Sequence, residues 1–144
     1  MKLSLLRHGE PVGGRIYRGN QDDPLTDKGW QQMIESTQNQ SWDFIASSPL
    51  LRCKSFAKHL KTEQKSQLKI IDHFSELGFG DWQGLSSADI GQELVNTFKQ
   101  NPIENRPPNA ERLYDFQHRV LTGFNSVINN PSKSTLIVAH AGVI

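Results

Sequence analysis

Thr135 to Ala139, TLIVA, is a run of β-branched and apolar residues with no polar-apolar alternation. A strand with one wet face alternates; a run like this reads as a strand covered on both faces, the normal condition of a parallel sheet. Three other runs of strand character precede it: Lys2 to Leu6 (KLSLL), Asp43 to Ala46 (DFIA) and Lys69 to Asp72 (KIID). Between them the apolar spacing changes to that of helices. Trp30, Met33, Ile34 and Thr37 share one helical face, with Thr26 placed as N-cap. Cys53, Phe56, Ala57 and Leu60 form a second stripe, which Ser48 and Pro49 open as N-cap and first helical residue. Ile90, Leu94 and Phe98 suggest a third helix, and Leu113, Phe116, Val120, Leu121, Phe124, Val127 and Ile128 a strong fourth. Residues 9–25 and 101–109 read as loops and 74–85 as irregular, rich in aromatics and glycine. Strands alternating with helices imply a single α/β domain over residues 1–144 with a mostly parallel sheet. A strand buried on both faces calls for a covering helix after it, yet the chain stops five residues beyond TLIVA. The expectation is a domain lacking its C-terminal part.

In parallel sheets ligands bind beyond the carboxyl ends of the strands. The first strand runs directly into Arg7 and His8. The second runs into Ser47 and Ser48, with Arg52 one helical turn on. The last runs into His140, Ala141 and Gly142. Two arginines and two histidines would thus meet at one rim of the sheet, joined by backbone N–H groups of the Ser48–Pro49 helix start. Such a cluster repels itself unless an anion neutralises it, and the guanidinium fork suits a tetrahedral oxyanion. A phosphate group fits best. A net charge of +1 argues against an extended nucleic-acid or membrane surface, so the expected partner is a small phosphomonoester.

A neutral imidazole can attack phosphorus and carry the group covalently. His8 is placed for that, with Gly9 able to offer its carbonyl to Nδ1 and so leave Nε2 free. His140 is then the binder that stabilises charge in transfer. Glu76, among Phe74, Phe79 and Trp82, is the candidate acid, since an apolar setting would keep its proton available. Asp81 reads as a turn residue. Arg15, Tyr17 and Arg18 reach a substrate or simply sit in solvent. Each residue has a plainer reading when taken alone: a strand-end histidine for His8, a core histidine for His140, a solvated helix residue for Arg52, a loop carboxylate for Glu76. Phe79 and Trp82 read as core before pocket, and Cys53, on an apolar stripe, as core rather than nucleophile. His59, His73 and His118 lack ligand-like spacing, so no metal or cofactor is expected. One cysteine excludes an internal disulfide and no window approaches the ~20 apolar residues of a membrane span, so the expected compartment is the cytoplasm.

LLRHGE, DDPLTDKGWQQ, ASSPLLRCKSFA, ELGFGDWQG and VAHAGVI occur in the order of the motif blocks of the histidine phosphatase, or phosphoglycerate-mutase-like, superfamily, and the chain resembles it over residues 3 to 143. The resemblance implies a three-layer αβα fold around a mostly parallel sheet and metal-independent phosphomonoester hydrolysis. It implies His8 as nucleophile, Glu76 as proton donor, and Arg7, Arg52 and His140 as phosphate binders. PPNAERLYDFQHRV resembles a further block in which Glu111 would order the site. Ala110 and Arg112 depart from the Gly and Ser usual beside that Glu, so the role of Glu111 stays open. Ala141 replaces the first Gly of the usual His-Gly-Gly, at little cost if φ there is negative. The compact spacing resembles the phosphatase branch, and YRGNQDDPLT with ELGFGDWQG most resembles enzymes acting on α-ribazole 5′-phosphate. Phosphoglycerate mutases, fructose-2,6-bisphosphatase-like and broad-specificity sugar phosphatases are the alternatives, and a phospho-ligand binding module without chemistry is the non-enzymatic one.

Overall fold

The computed structural model describes residues 1–144. Four parallel strands, β1 (Lys2–Arg7), β2 (Phe44–Ser47), β3 (Gln67–Ile70) and β4 (Ser134–Ala139), pair in the order β1-β4-β2-β3. The last strand in sequence is thus an inner strand, with Leu5 beside Ile137 on one flank and Ile45 beside Leu136 on the other. Its side chains alternate between two cores. Leu136 and Val138 pack with Ile45, Met33, Cys53 and Phe56 under helices α1 (Asp27–Thr37) and α2 (Leu51–Gln64). Ile137 and Ala139 pack with Ala46, Phe74 and Val127 under α5 (Leu113–Ile128). Burial on both faces is why TLIVA shows no alternation. Each fully buried large apolar side chain contributes about 1.5–3 kcal/mol. Helices on both faces of the sheet make the three-layer αβα arrangement, as expected. No helix is long and apolar enough to cross a membrane.

Thr26 caps α1, accepting from the Gly29 N–H at 2.9 Å. Three local expectations are corrected. α2 begins at Leu51, not Pro49: Leu50 is its N-cap, and no side chain caps the helix from that position. β3 lies over Gln67–Ile70, two residues earlier than KIID, because its ladder follows Phe44–Ser47, and Asp72–Phe74 turn as 3₁₀ helix. The single helix read through Ile90, Leu94 and Phe98 is two: α3 (Ser87–Ile90) and α4 (Gln92–Gln100). Gly91 between them has φ +105°, which resets the helical phase, so Val95 is buried and Leu94 is 59% exposed.

Candidate active site

β4 lies between β1 and β2, and its ladder continues past the strand ends. The His8 N–H donates to the Ala139 carbonyl at 3.1 Å and the Ser48 N–H to the Val138 carbonyl at 3.0 Å. These bonds bring His8, His140 and Ser48 side by side on one rim. The His8 and His140 ring centroids are 5.2 Å apart, edge to face. A side chain on Gly9 would collide with the Gly29 carbonyl, so the turn after His8 tolerates nothing larger than glycine against the start of α1.

His8 Nδ1 donates to the Gly9 carbonyl at 2.8 Å, which places the proton on Nδ1 and leaves the Nε2 lone pair unused. On the other side, the Ser48 hydroxyl accepts from the Leu50 N–H at 3.2 Å, so its own proton is available to His140 Nε2, 2.6 Å away. His140 Nδ1, on the other side of the ring, is buried and has no partner within the protein. The serine read as a helix cap therefore also holds the ring of His140. Ala141, the departure from the family pattern, does not have a positive φ, so the extra methyl adds no backbone strain.

Arg52 is 1% exposed. Its Nη1 donates to the Gln21 carbonyl at 2.8 Å and its Nη2 to the Gly19 carbonyl at 3.0 Å, while the buried Nε has no partner. The Leu51 N–H at the start of α2 donates to Asp22 Oδ1 at 2.6 Å, so that amide serves the loop and not a ligand. Loop 9–25 is thereby clipped onto α2. Arg18 stiffens the same loop by pairing with Asp23 at 3.0 Å and donating to the Val12 and Gly14 carbonyls, each at 2.7 Å.

Burial is the main cause that lowers the His8 pKa to about 4 and the His140 pKa to about 2. Arg52 adds to both, and the Gly9 carbonyl acts in the opposite sense on His8. Both imidazoles are neutral near pH 7. Burial likewise lowers the Arg52 pKa, and it pushes the Cys53 thiol up to about 12, so this fully buried cysteine is an inert part of the core. Because the folded His8 pKa lies below its unfolded value, the unfolded chain binds the extra proton as pH falls from 6.5 towards 4, and stability is lost over that window. For His8 alone the loss reaches about 3 kcal/mol. Urea unfolding of the ligand-free protein should show a midpoint that falls between pH 7 and pH 5. A ligand bound only by the folded state raises such a midpoint, so the same titration repeated in saturating phosphate checks whether the cluster takes that anion.

The side-chain oxygens of Glu76 accept from the Leu77 N–H at 2.9 Å and from the Gly142 N–H at 3.3 Å. The apolar setting expected for it is corrected: amide donors meet its oxygens, because the segment after Phe74 turns towards the chain following His140. Phe79 does line the site, whereas Trp82 belongs to the aromatic packing behind it. Arg7, His8, Arg52, Glu76, Tyr17 and Phe79 are among the residues enclosing a hollow of about 130 Å³, room for some four waters at ~30 Å³ each and of the size of a phosphoryl group. Arg7 and Arg52 have no carboxylate within 4.0 Å; the chain's two ion pairs are Arg18–Asp23 and Arg119–Glu111.

Glu111 accepts from Arg119 in bidentate fashion at 2.7 and 2.8 Å and from the Gly78 N–H at 3.2 Å. Burial would push its carboxyl up, but Arg119 and Gly78 outweigh it and hold Glu111 below the usual carboxylate range. Arg119 also donates to the carbonyls of His73 at 2.7 Å, Ser75 at 2.8 Å and Glu76 at 3.0 Å. The pair is a clasp on the backbone that carries Glu76. Arg119 escaped the sequence reading, although its place three residues after Phe116, amid an apolar stripe, was a signal: a cation on a packing face needs partners. Arg119→Lys keeps the charge and loses the fork. It should lower kcat on alkyl phosphates about 10- to 100-fold with little change in KM, as a displaced catalytic group does. The loss should be smaller on p-nitrophenyl phosphate, whose leaving group needs no proton. A purely structural role would cost both substrates alike.

His59 stacks on Trp30 and Phe56, and no three His, Cys, Asp or Glu side chains of the chain converge on a common point.

The profile of the histidine phosphatase superfamily (branch 1) matches residues 3–144. An uncharacterized phosphatase of Bacillus subtilis is 32% identical over 99% of this chain and 72% of its own length. The adenosylcobalamin/alpha-ribazole phosphatase of Escherichia coli is 30% identical over 100% of this chain and 75% of its own. Among solved structures, the alpha-ribazole phosphatase of Shigella flexneri superposes with a TM-score of 0.85 at 28% identity, over 99% of this chain and 75% of that one. Bacillus stearothermophilus YhfR superposes with a TM-score of 0.86 at 29% identity, over 98% and 74%.

Proposed function

The chain belongs to the histidine phosphatase superfamily, branch 1, and on that premise we propose that it hydrolyses phosphomonoesters through a phosphohistidine formed on His8. One observation carries the reading. Two buried nitrogens without protein partners, Arg52 Nε and His140 Nδ1, accompany a neutral His8 imidazole whose Nε2 is unused; His8 and Arg52 line a hollow of phosphoryl size, and the His140 ring lies 5.2 Å from that of His8. In this reading Arg7, Arg52 and His140 hold the non-bridging oxygens, and charge builds there as the group transfers. The Nε2 lone pair of His8 forms a bond to phosphorus while the bond to the ester oxygen breaks. Glu76 gives its proton to the departing alkoxide. In the second step Glu76, now a carboxylate, takes a proton from water as that oxygen attacks phosphorus, the N–P bond breaks, and its electron pair returns to Nε2. Phosphate leaves and Glu76 is again protonated.

No step requires a metal ion. Turnover that EDTA abolishes and a divalent cation restores would overturn the scheme. Because His8 stays unprotonated to about pH 4, kcat/KM of the free enzyme should show no loss near pH 6.5 once corrected for the ester's own second ionisation near pH 6. An acid limb centred at 6.5 would mean that a different, solvated group is the nucleophile.

For the alcohol released, the names of the Escherichia coli and Shigella relatives support α-ribazole 5′-phosphate, an ester of cobalamin biosynthesis. Turnover of that compound against 3-phosphoglycerate and sugar phosphates tests this finer reading. Release of inorganic phosphate, rather than its return to a sugar acid, separates a hydrolase from a mutase.

A further inference from the structure

Gln83 is not among the residues enclosing the phosphoryl-sized hollow, yet its side chain joins two segments that are. Its Oε1 accepts from the Asn20 N–H in loop 9–25 at 3.0 Å and from the Phe79 N–H, three residues after Glu76, at 3.2 Å. Backbone bonds flank this junction: the Tyr17 N–H donates to the Leu85 carbonyl at 2.9 Å and the Gly84 N–H to the Tyr17 carbonyl at 2.8 Å. Gly19 is buried against the amide with φ +52°, and a Cβ there would collide with Gln83 Oε1 and the Phe79 nitrogen. The Asn20 N–H and the Gly19 carbonyl are opposite ends of one planar peptide unit. Gln83 holds the N–H end, and Arg52 Nη2 donates to the carbonyl end at 3.0 Å. A glycine on one side of such a unit leaves its rotation nearly free. The bond from Gln83 is therefore what aims the carbonyl at the guanidinium.

We propose that Gln83 is a positioning residue for Arg52: by fixing the Gly19–Asn20 peptide it orients the guanidinium fork towards the phosphoryl group. This deepens the phosphatase reading and rests on it. Gln83 touches no reacting atom and acts only through that peptide. Without an acceptor at this place the unit turns, its carbonyl leaves Nη2, and Arg52 keeps only the Gln21 carbonyl to set the plane of its fork. A carboxylate can accept from both N–H groups as an amide oxygen does, whereas a thioether of the same length is too weak an acceptor to replace either.

The test compares Gln83→Met, which keeps length and removes the acceptor, with Gln83→Glu, which keeps the acceptor. Calorimetry on the full chain should find inorganic phosphate bound about tenfold more weakly by the methionine variant, and its kcat/KM on p-nitrophenyl phosphate should fall about 10- to 100-fold, as misplacement of a binding group does. Gln83→Glu should recover both to within about threefold. A residue that only fills space gives the opposite order, with methionine close to the parent and glutamate impaired, and that order would overturn the proposal. A double-variant cycle adds the link to Arg52. In an Arg52→Ala background Gln83→Met should change phosphate affinity by less than about twofold, because the fork it positions is gone. A full tenfold loss there as well would show that Gln83 acts by another route. Should the methionine variant not fold, Gln83→Asn, whose amide is one methylene too short to reach both N–H groups, takes its place with the same expected losses. The binding arm needs no turnover, so it separates the two levels. Phosphate affinity that depends on Arg52 but not on Gln83 overturns the positioning role alone, and affinity indifferent to Arg52 overturns the site reading beneath it.

Discussion

His8→Ala should leave a folded protein that still binds phosphate yet forms no phosphoenzyme, with kcat down by at least about 10⁴-fold. In the unaltered enzyme, rapid quenching during turnover of a labelled ester should trap label on protein that is lost in acid and kept in base, as phosphoramidate bonds are. The variant should trap none. Folding should survive, because His8 makes no side-chain hydrogen bond except to the carbonyl of its neighbour Gly9, and its backbone bond to Ala139 does not depend on the ring. Removing a ring held neutral by burial also removes a source of acid lability, so the variant should lose less stability than the parent between pH 6.5 and 4. Two results would refute the assignment: a variant that traps label as before, or label in the parent that survives acid and is lost in base, which is serine chemistry. His140 is the obvious rival, 5.2 Å away, but its Nε2 is occupied by Ser48.

The second large effect is expected at Arg52. Arg52→Ala should lower kcat/KM by about 10³-fold or more, the scale on which an arginine at a transferring phosphoryl group is felt. Arg52→Lys should recover only part of this, since a point charge cannot serve the Gln21 and Gly19 carbonyls and an anion together. The consequence for stability runs against intuition. Loss of the side chain strands two loop carbonyls, at about 1–3 kcal/mol each where they are shielded from water. It also removes a cation whose burial is already unfavourable, as its lowered pKa records. The net change in the ligand-free protein should therefore be small, while the rise in Tm that phosphate gives the parent should vanish. A variant that still gains stability from phosphate would place the anion elsewhere.

Much of this protein is legible in the chain because much of it is local. The α1 cap at Thr26, the stripe Cys53-Phe56-Ala57-Leu60 and the unalternating TLIVA each depend on neighbours within a few turns, and each is found where the spacing puts it. The convergence of Arg7, His8 and His140 was also readable, since parallel strands deliver their carboxyl ends to one rim whatever their order. What failed was where a local preference met a stronger distant one. Ser48 is a good helix cap by propensity, but a buried imidazole with a free nitrogen claimed its hydroxyl and α2 starts later. Glu76 lies among aromatics in sequence, yet its oxygens meet the amides of Leu77 and Gly142. Arg119 looked like any helix arginine until the fold laid three carbonyls and Glu111 around it.

The sequence by itself determined the fold class, the cationic rim and the two histidines, because strand periodicity and the residues that end each strand are properties of short segments. Only the tertiary structure decided the bond between Ser48 and His140, the clipping of loop 9–25 to Arg52 and Asp22, and the clasp on the backbone that carries Glu76. Each of these depends on which buried polar groups find partners across tens of residues. That pairing is settled by the cost of leaving such a group unsatisfied, and it is fixed only when the layers close.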